Sequence, residues 1–202
     1  MTTNQLKHSE YTLSKQDVYK LIDVAGLRNP RERLLVEILY YGGLRIAEAI
    51  ALDWEDIDIN GRKIIVRRGK GDKLRQIPII DRRLLQDLIF QKGKYEAGRI
   101  FPWKQRQAQY ILRRIGVEGG VKHPNPMMKY IHPHLFRHTI ARHMKDQGYA
   151  LEFIQKFLGH ASMKTTADVY GTLSFDDMQK MVAMKSNDVE MMPRQEKVMY
   201  LE

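Results

Sequence analysis

The chain has 202 residues, no cysteine and a formal charge of +10 at neutral pH. That length leaves room for one domain with a good core, and the missing cysteines exclude disulfides, thiolate metal sites and a cysteine nucleophile. No apolar run approaches the roughly 20 residues that cross a bilayer and the amino terminus lacks a signal-peptide pattern, so a cytoplasmic protein with no membrane partner is expected.

Residues 1–11 are polar and aperiodic and are expected as a flexible segment, 12–186 as one ordered domain, and 187–202 as a tail. Ser14 and Asp17 have capping-box spacing. Val18, Leu21, Ile22 and Ala25 then share a helical face that Gly26 is expected to end. Pro30 suits a first helical turn, Leu34, Leu35, Ile38 and Leu39 continue a mostly buried helix, and Gly42-Gly43 closes it. A short helix is expected from Leu44 to about Leu52. Ile57–Ile59, Lys63–Arg67 and Leu74–Ile79 read as three short strands, the first two joined at Asn60-Gly61 and the last two by the flexible tip Gly69-Lys70-Gly71-Asp72. Helical patterns return over about 82–95, 104–116, 134–147, 151–158, 164–170 and 174–185. The fold class is therefore α+β, mostly helical with a small three-stranded antiparallel sheet.

Five segments hold residues suited to attack on a phosphodiester, and each taken singly has a plainer reading. Arg45 follows two glycines at a helix start, where it can face a phosphate, or it is a surface arginine near a turn. Lys70 lies between glycines at a hairpin tip, with Arg62, Lys63, Arg67, Arg68, Lys73 and Arg75 around it. Such a hairpin can follow a DNA backbone, or its charges merely protect a strand edge. His134 and Arg137 are three apart and are expected on one helical face, a proton acceptor beside a two-pronged phosphate ligand. Zinc binding by His134 and His138 is the competing reading, but no HExxH pattern, cysteine or nearby acid supports it. Gly159 is expected to end a helix and leave His160 on a turn. Ten residues later stands Tyr170, in isolation a half-buried aromatic.

Taken in order, Gly42-Gly43-Leu44-Arg45-Ile46-Ala47-Glu48, Gly69-Lys70-Gly71, His134-Leu135-Phe136-Arg137-His138-Thr139, Leu158-Gly159-His160 and Thr165-Thr166-Ala167-Asp168-Val169-Tyr170 resemble the tyrosine recombinase, or phage integrase, family, of Xer-like type. The match spans about residues 12–173. The resemblance implies the family's catalytic-domain fold and DNA cleavage and rejoining through a 3′-phosphotyrosyl link. By that resemblance Tyr170 is the nucleophile, Arg45 and Arg137 hold the non-bridging oxygens, and His160 adds a hydrogen bond there. Lys70 is the general acid, His134 the acid–base partner of the tyrosine, and Glu48 the residue that orients the cations. Arg67, Arg68, Lys73 and Arg75 are expected as DNA contacts. The implied partners are double-stranded DNA and other copies of the chain in a tetrameric synapse. Because the cations stand where other phosphoryl-transfer enzymes use metal ions, no metal, ATP or other cofactor is expected.

One departure is that family recombinases carry a helical DNA-clamping domain before the catalytic one, whereas about a dozen residues precede the first expected helix here. Two other readings use the same residues: a type IB topoisomerase-like enzyme, and a non-catalytic DNA-binding module that retains the fold. The last expected helix, with Phe175, Met178, Met181 and Val182 at helical spacing, suits docking on a neighbouring subunit or packing on its own domain.

Overall fold

Ser14 accepts a hydrogen bond from the Asp17 amide at 3.0 Å, and this capping box starts α1, Lys15–Arg28. The computed structural model describes residues 11–67, 74–95, 97–159 and Gln179. Val18, Leu21, Ile22 and Ala25 are buried, as their spacing requires. Gly26 does not stop α1. The break comes at Asn29, which caps the end of α1 and whose side chain accepts from the Arg31 amide at 2.8 Å, opening α2, Pro30–Tyr41. One asparagine thus serves both helix ends, and Gly26 instead lets the Arg33 stem lie close, since a Cβ there would come within 3.2 Å of Arg33 Cδ.

Helix α2 is the axis of the core. Leu34, Leu35, Val36, Ile38 and Leu39 are fully buried, each burial contributing about 1.5–3 kcal/mol. It packs against α1, α4 (Arg82–Lys92) and α6 (Pro133–Asp146). After Gly42 comes α3, Ile46–Ile50, which is shorter than the sequence suggests. A 3-10 turn over Trp54–Asp56, not foreseen from the sequence, then leads into the sheet and buries Trp54 completely.

The sheet has three antiparallel strands in the order β1 (Ile57–Asp58), β2 (Lys63–Val66) and β3 (Arg75–Pro78). Its register sets Ile57 opposite Ile64 and Val66 opposite Arg75. In the β1–β2 turn, Asp58 Oδ1 accepts from the Gly61 amide at 2.7 Å, and the left-handed residue is Arg62, φ 47°, rather than Gly61. Helices α5 (Gln105–Glu118) and α7 (Leu151–Leu158) complete the described domain. Among the described residues no helix is long and apolar enough to cross a membrane.

The helices expected over 164–170 and 174–185, the tail and the segment 1–10 lie outside the described residues, apart from Gln179, whose Nε2 donates to the Gly61 carbonyl at 3.0 Å. This ties position 179 to the chain's own β1–β2 turn.

Candidate active site

The Gly42-Gly43 pair brings α3 against the end of α7. Gly43 has φ +58°, and a Cβ there would lie 2.6 Å from Leu158 Cδ2, so both backbone and packing require glycine. The turn leaves Arg45 at the start of α3, where its amide donates to Glu48 Oε2 at 2.8 Å and its Nη1 to Glu48 Oε1 at 2.9 Å. The Arg45 side chain remains 43% exposed, while that of Glu48 is 7% exposed. The open cation is therefore oriented by a buried acid.

Arg137 approaches the same place from α6. It is buried, and donates from Nη1 to the Gly43 carbonyl at 2.6 Å and from Nη2 to the Leu158 carbonyl at 2.5 Å. Burial lowers its pKa to about 10, with the Arg45 and Arg75 charges pushing the same way and Glu48 opposing them. At neutral pH it stays charged.

Arg75 is the unexpected member. It was expected among the outward cations of the hairpin, yet its side chain is only 16% exposed. Its Nη2 donates to Glu48 Oε2 at 2.9 Å, and its Nη1 donates to the Leu158 carbonyl and, at 3.4 Å, to that of Phe157. Burial lowers its pKa and Glu48 counters that. Two guanidinium groups therefore hold the Glu48 carboxylate while a third, Arg137, shares the Leu158 carbonyl with Arg75, and only Arg45 among them is well exposed. Such a cluster is electropositive and preorganised, as a site for a phosphate oxygen must be.

Gly159 ends α7 in the left-handed conformation, φ 67° and ψ 48°, and a Cβ on it would lie 2.3 Å from Arg75 Nη1. Any other residue at 159 would be strained at this φ and would crowd the Arg75 guanidinium. His160, Tyr170, Lys70, Arg68 and Lys73 lie outside the described residues.

His134 stands in the first turn of α6 and is exposed, whereas Arg137 is buried one turn later. Spacing alone predicted one face for both; their burial differs. Arg67 is 57% exposed and its Nε pairs with the buried Asp56. Sequence reasoning did not foresee a pairing of two histidines: His132, which precedes α6, and His123 stack with ring centroids 5.0 Å apart and Nε2 atoms 3.2 Å apart. The Asn125 amide donates to His123 Nδ1, and burial lowers the His123 pKa. Nothing in the sequence pairs two histidines nine positions apart. Among the described residues no three His, Cys, Asp or Glu side chains group as metal ligands.

Residues 11–176 match the model of the phage integrase family. The chain is 32% identical over 158 residues to the tyrosine recombinase XerC of Xanthomonas axonopodis pv. citri, covering 74% of this chain and 49% of that protein. It is 34% identical over 168 residues to the tyrosine recombinase XerA of Pyrococcus furiosus, covering 77% of this chain and 55% of that protein. The chain thus spans about half the length of these relatives. A crystal structure of XerA recombinase superposes with a TM-score of 0.66 at 27% identity, covering 91% of this chain and 65% of that one. The catalytic domain of bacteriophage HP1 integrase shares the fold, with a TM-score of 0.57 at 22% identity over 88% of this chain and 95% of that one. The chain belongs to the phage integrase family and carries the tyrosine recombinase catalytic-domain fold.

Proposed function

We propose that this chain is the catalytic domain of a site-specific DNA recombinase that cleaves and rejoins strands through Tyr170. The observation that carries the reading is the meeting of Arg45 and Glu48, from the start of α3, with Arg137, from α6, beside the α7 end that leads directly to His160. Sequence neighbours that are tyrosine recombinases support it, as do fold neighbours such as XerH bound to its difH substrate.

In this account the Tyr170 phenol oxygen attacks phosphorus, the bond from phosphorus to the 5′-oxygen breaks, and Lys70 gives that oxygen a proton to leave a 5′-hydroxyl. Arg45, Arg137 and His160 hold the non-bridging oxygens, whose charge grows in the transition state. His134 receives the phenol proton. A tyrosine titrates near pH 10, so neighbouring cations favour the phenolate that attacks. The reverse step, attack by a 5′-hydroxyl of the same or another strand, restores Tyr170 and conserves the phosphodiester energy without a nucleotide. Arg67, Arg68 and Lys73 contact the DNA backbone, and strand exchange proceeds among several copies of the chain on DNA.

The test is exchange between two labelled duplexes that share a cleavage site, run beside relaxation of a supercoiled plasmid. Recombinant duplexes are expected. Relaxation without recombinants identifies a topoisomerase, and binding with neither product a non-catalytic module.

A further inference from the structure

We propose that Arg75 is a positioning residue of the phosphate-binding cluster: one largely enclosed guanidinium ties the return strand of the hairpin to Glu48 and to the end of α7. The inference rests on the recombinase reading for its kinetic consequence, and on the geometry alone for the bridge.

The bridge joins three stretches that the sequence keeps apart. Arg75 opens β3, the strand by which the chain returns from the segment bearing Lys70. Its Nη2 meets Glu48 Oε2, the oxygen that also accepts from the Arg45 amide. Its Nη1 meets the carbonyls of Phe157 and Leu158 at the end of α7, where helix carbonyls otherwise lack partners. Arg137 uses the same Leu158 oxygen from the other side. A planar guanidinium can hold these acceptors at once, with two nitrogens aimed in fixed directions; an ammonium is a single point and cannot.

The arrangement has the marks of a positioning device rather than a DNA contact. Arg75 is mostly enclosed, with its two terminal nitrogens already engaged by protein acceptors. It adds a charge that stops Glu48 from fully neutralising Arg45, which leaves the exposed guanidinium available to an anion. Gly159 is shaped to it: a methyl group there would collide with the Arg75 guanidinium, which ties the residue before His160 to this contact.

The consequence is a separation of binding from chemistry. Arg75→Lys keeps the charge beside Glu48 but loses the two-sided bridge. In the full chain it is expected to leave duplex affinity little changed while slowing single-turnover formation of the covalent adduct by roughly 10²-fold, the effect of misplacing reacting groups by about an ångström. The substrate is a pool of nicked duplexes with randomised sequence around the nick. Because the role passes through Glu48, the defects of Arg75→Lys and Glu48→Gln should be strongly non-additive. Adduct formation by Arg75→Lys at the parent rate, or loss of duplex affinity equal to the loss of rate, overturns the proposal.

A second readout needs neither DNA nor a variant. In the parent chain the guanidinium protons of Arg75 should exchange with solvent far more slowly than those of Arg67, as followed by nitrogen-15 NMR of the arginine side chains. Equal exchange at Arg75 and Arg67 overturns the bridge. A parent chain that forms no adduct sinks the recombinase reading instead, and the bridge is then decided by the exchange result.

Discussion

Arg75 and Arg137 converge on one acceptor, the carbonyl oxygen of Leu158, from a strand and a helix that are 62 positions apart (137 − 75). The end of α7 is therefore clamped between the buried Arg137 and the largely enclosed Arg75. The cluster is built from main-chain carbonyls as well as side chains, so its geometry depends on helix ends staying in register.

Removing Arg137 should damage both fold and chemistry. Arg137→Ala leaves the Gly43 and Leu158 carbonyls without this donor. A loss of about 2–4 kcal/mol in urea unfolding is expected, with adduct formation down about 10²–10³-fold. Parent-like stability would contradict the buried geometry.

Gly43 is held by two independent constraints, its φ of +58° and the nearby Leu158 methyl. Gly43→Ala should cost about 1–3 kcal/mol, measured by thermal or urea unfolding. Gly98 also has positive φ, but its Cβ would meet nothing within 4 Å, so Gly98→Ala should cost less.

Glu37 gives the fold a pH dependence unrelated to the site. It is fully buried, and its pKa is pushed up to about 9, first by burial and then by the Asp87 charge, with Arg33 opposing. A carboxyl whose folded pKa is raised contributes stability that is complete below its ordinary value of 4.5 and is lost as pH climbs towards 9. The Glu37 contribution to the unfolding free energy should fall between about pH 5 and about pH 8, read as the difference in pH slope between the parent and Glu37→Gln.

Arg67 tests the DNA-facing role of the hairpin. Its Nε is engaged by Asp56, yet the side chain is more than half exposed. If it neutralises one phosphate, Arg67→Gln should lower the slope of log affinity against log salt by about 0.9. An unchanged slope places Arg67 off the DNA.

Much of the fold was legible because its elements announce themselves locally. Ser14 and Asp17 mark a helix start, the alternation of Ile64 and Val66 marks a strand, and Gly159 marks a helix end. The motifs singled out Arg45, Glu48 and Arg137, which the fold brings into one cluster. They did not place Arg75 there, because its burial is decided by acceptors from α3 and α7, and in the sequence it is one more cation on a basic hairpin. Gly26 misled for a related reason: α1 ends where Asn29 can cap two helices, and the helical glycine serves close packing with Arg33. The His123–His132 stack is a product of tertiary folding, with no local period to reveal it.

The most direct test of the central claim is trapping of the phosphotyrosine on a nicked duplex whose short 5′-hydroxyl fragment diffuses away after cleavage. The parent chain should give a denaturation-resistant protein–DNA adduct, and Tyr170→Phe should abolish it while binding the same duplex. An adduct that persists in Tyr170→Phe, or none from a parent chain that binds the duplex well, would contradict the account.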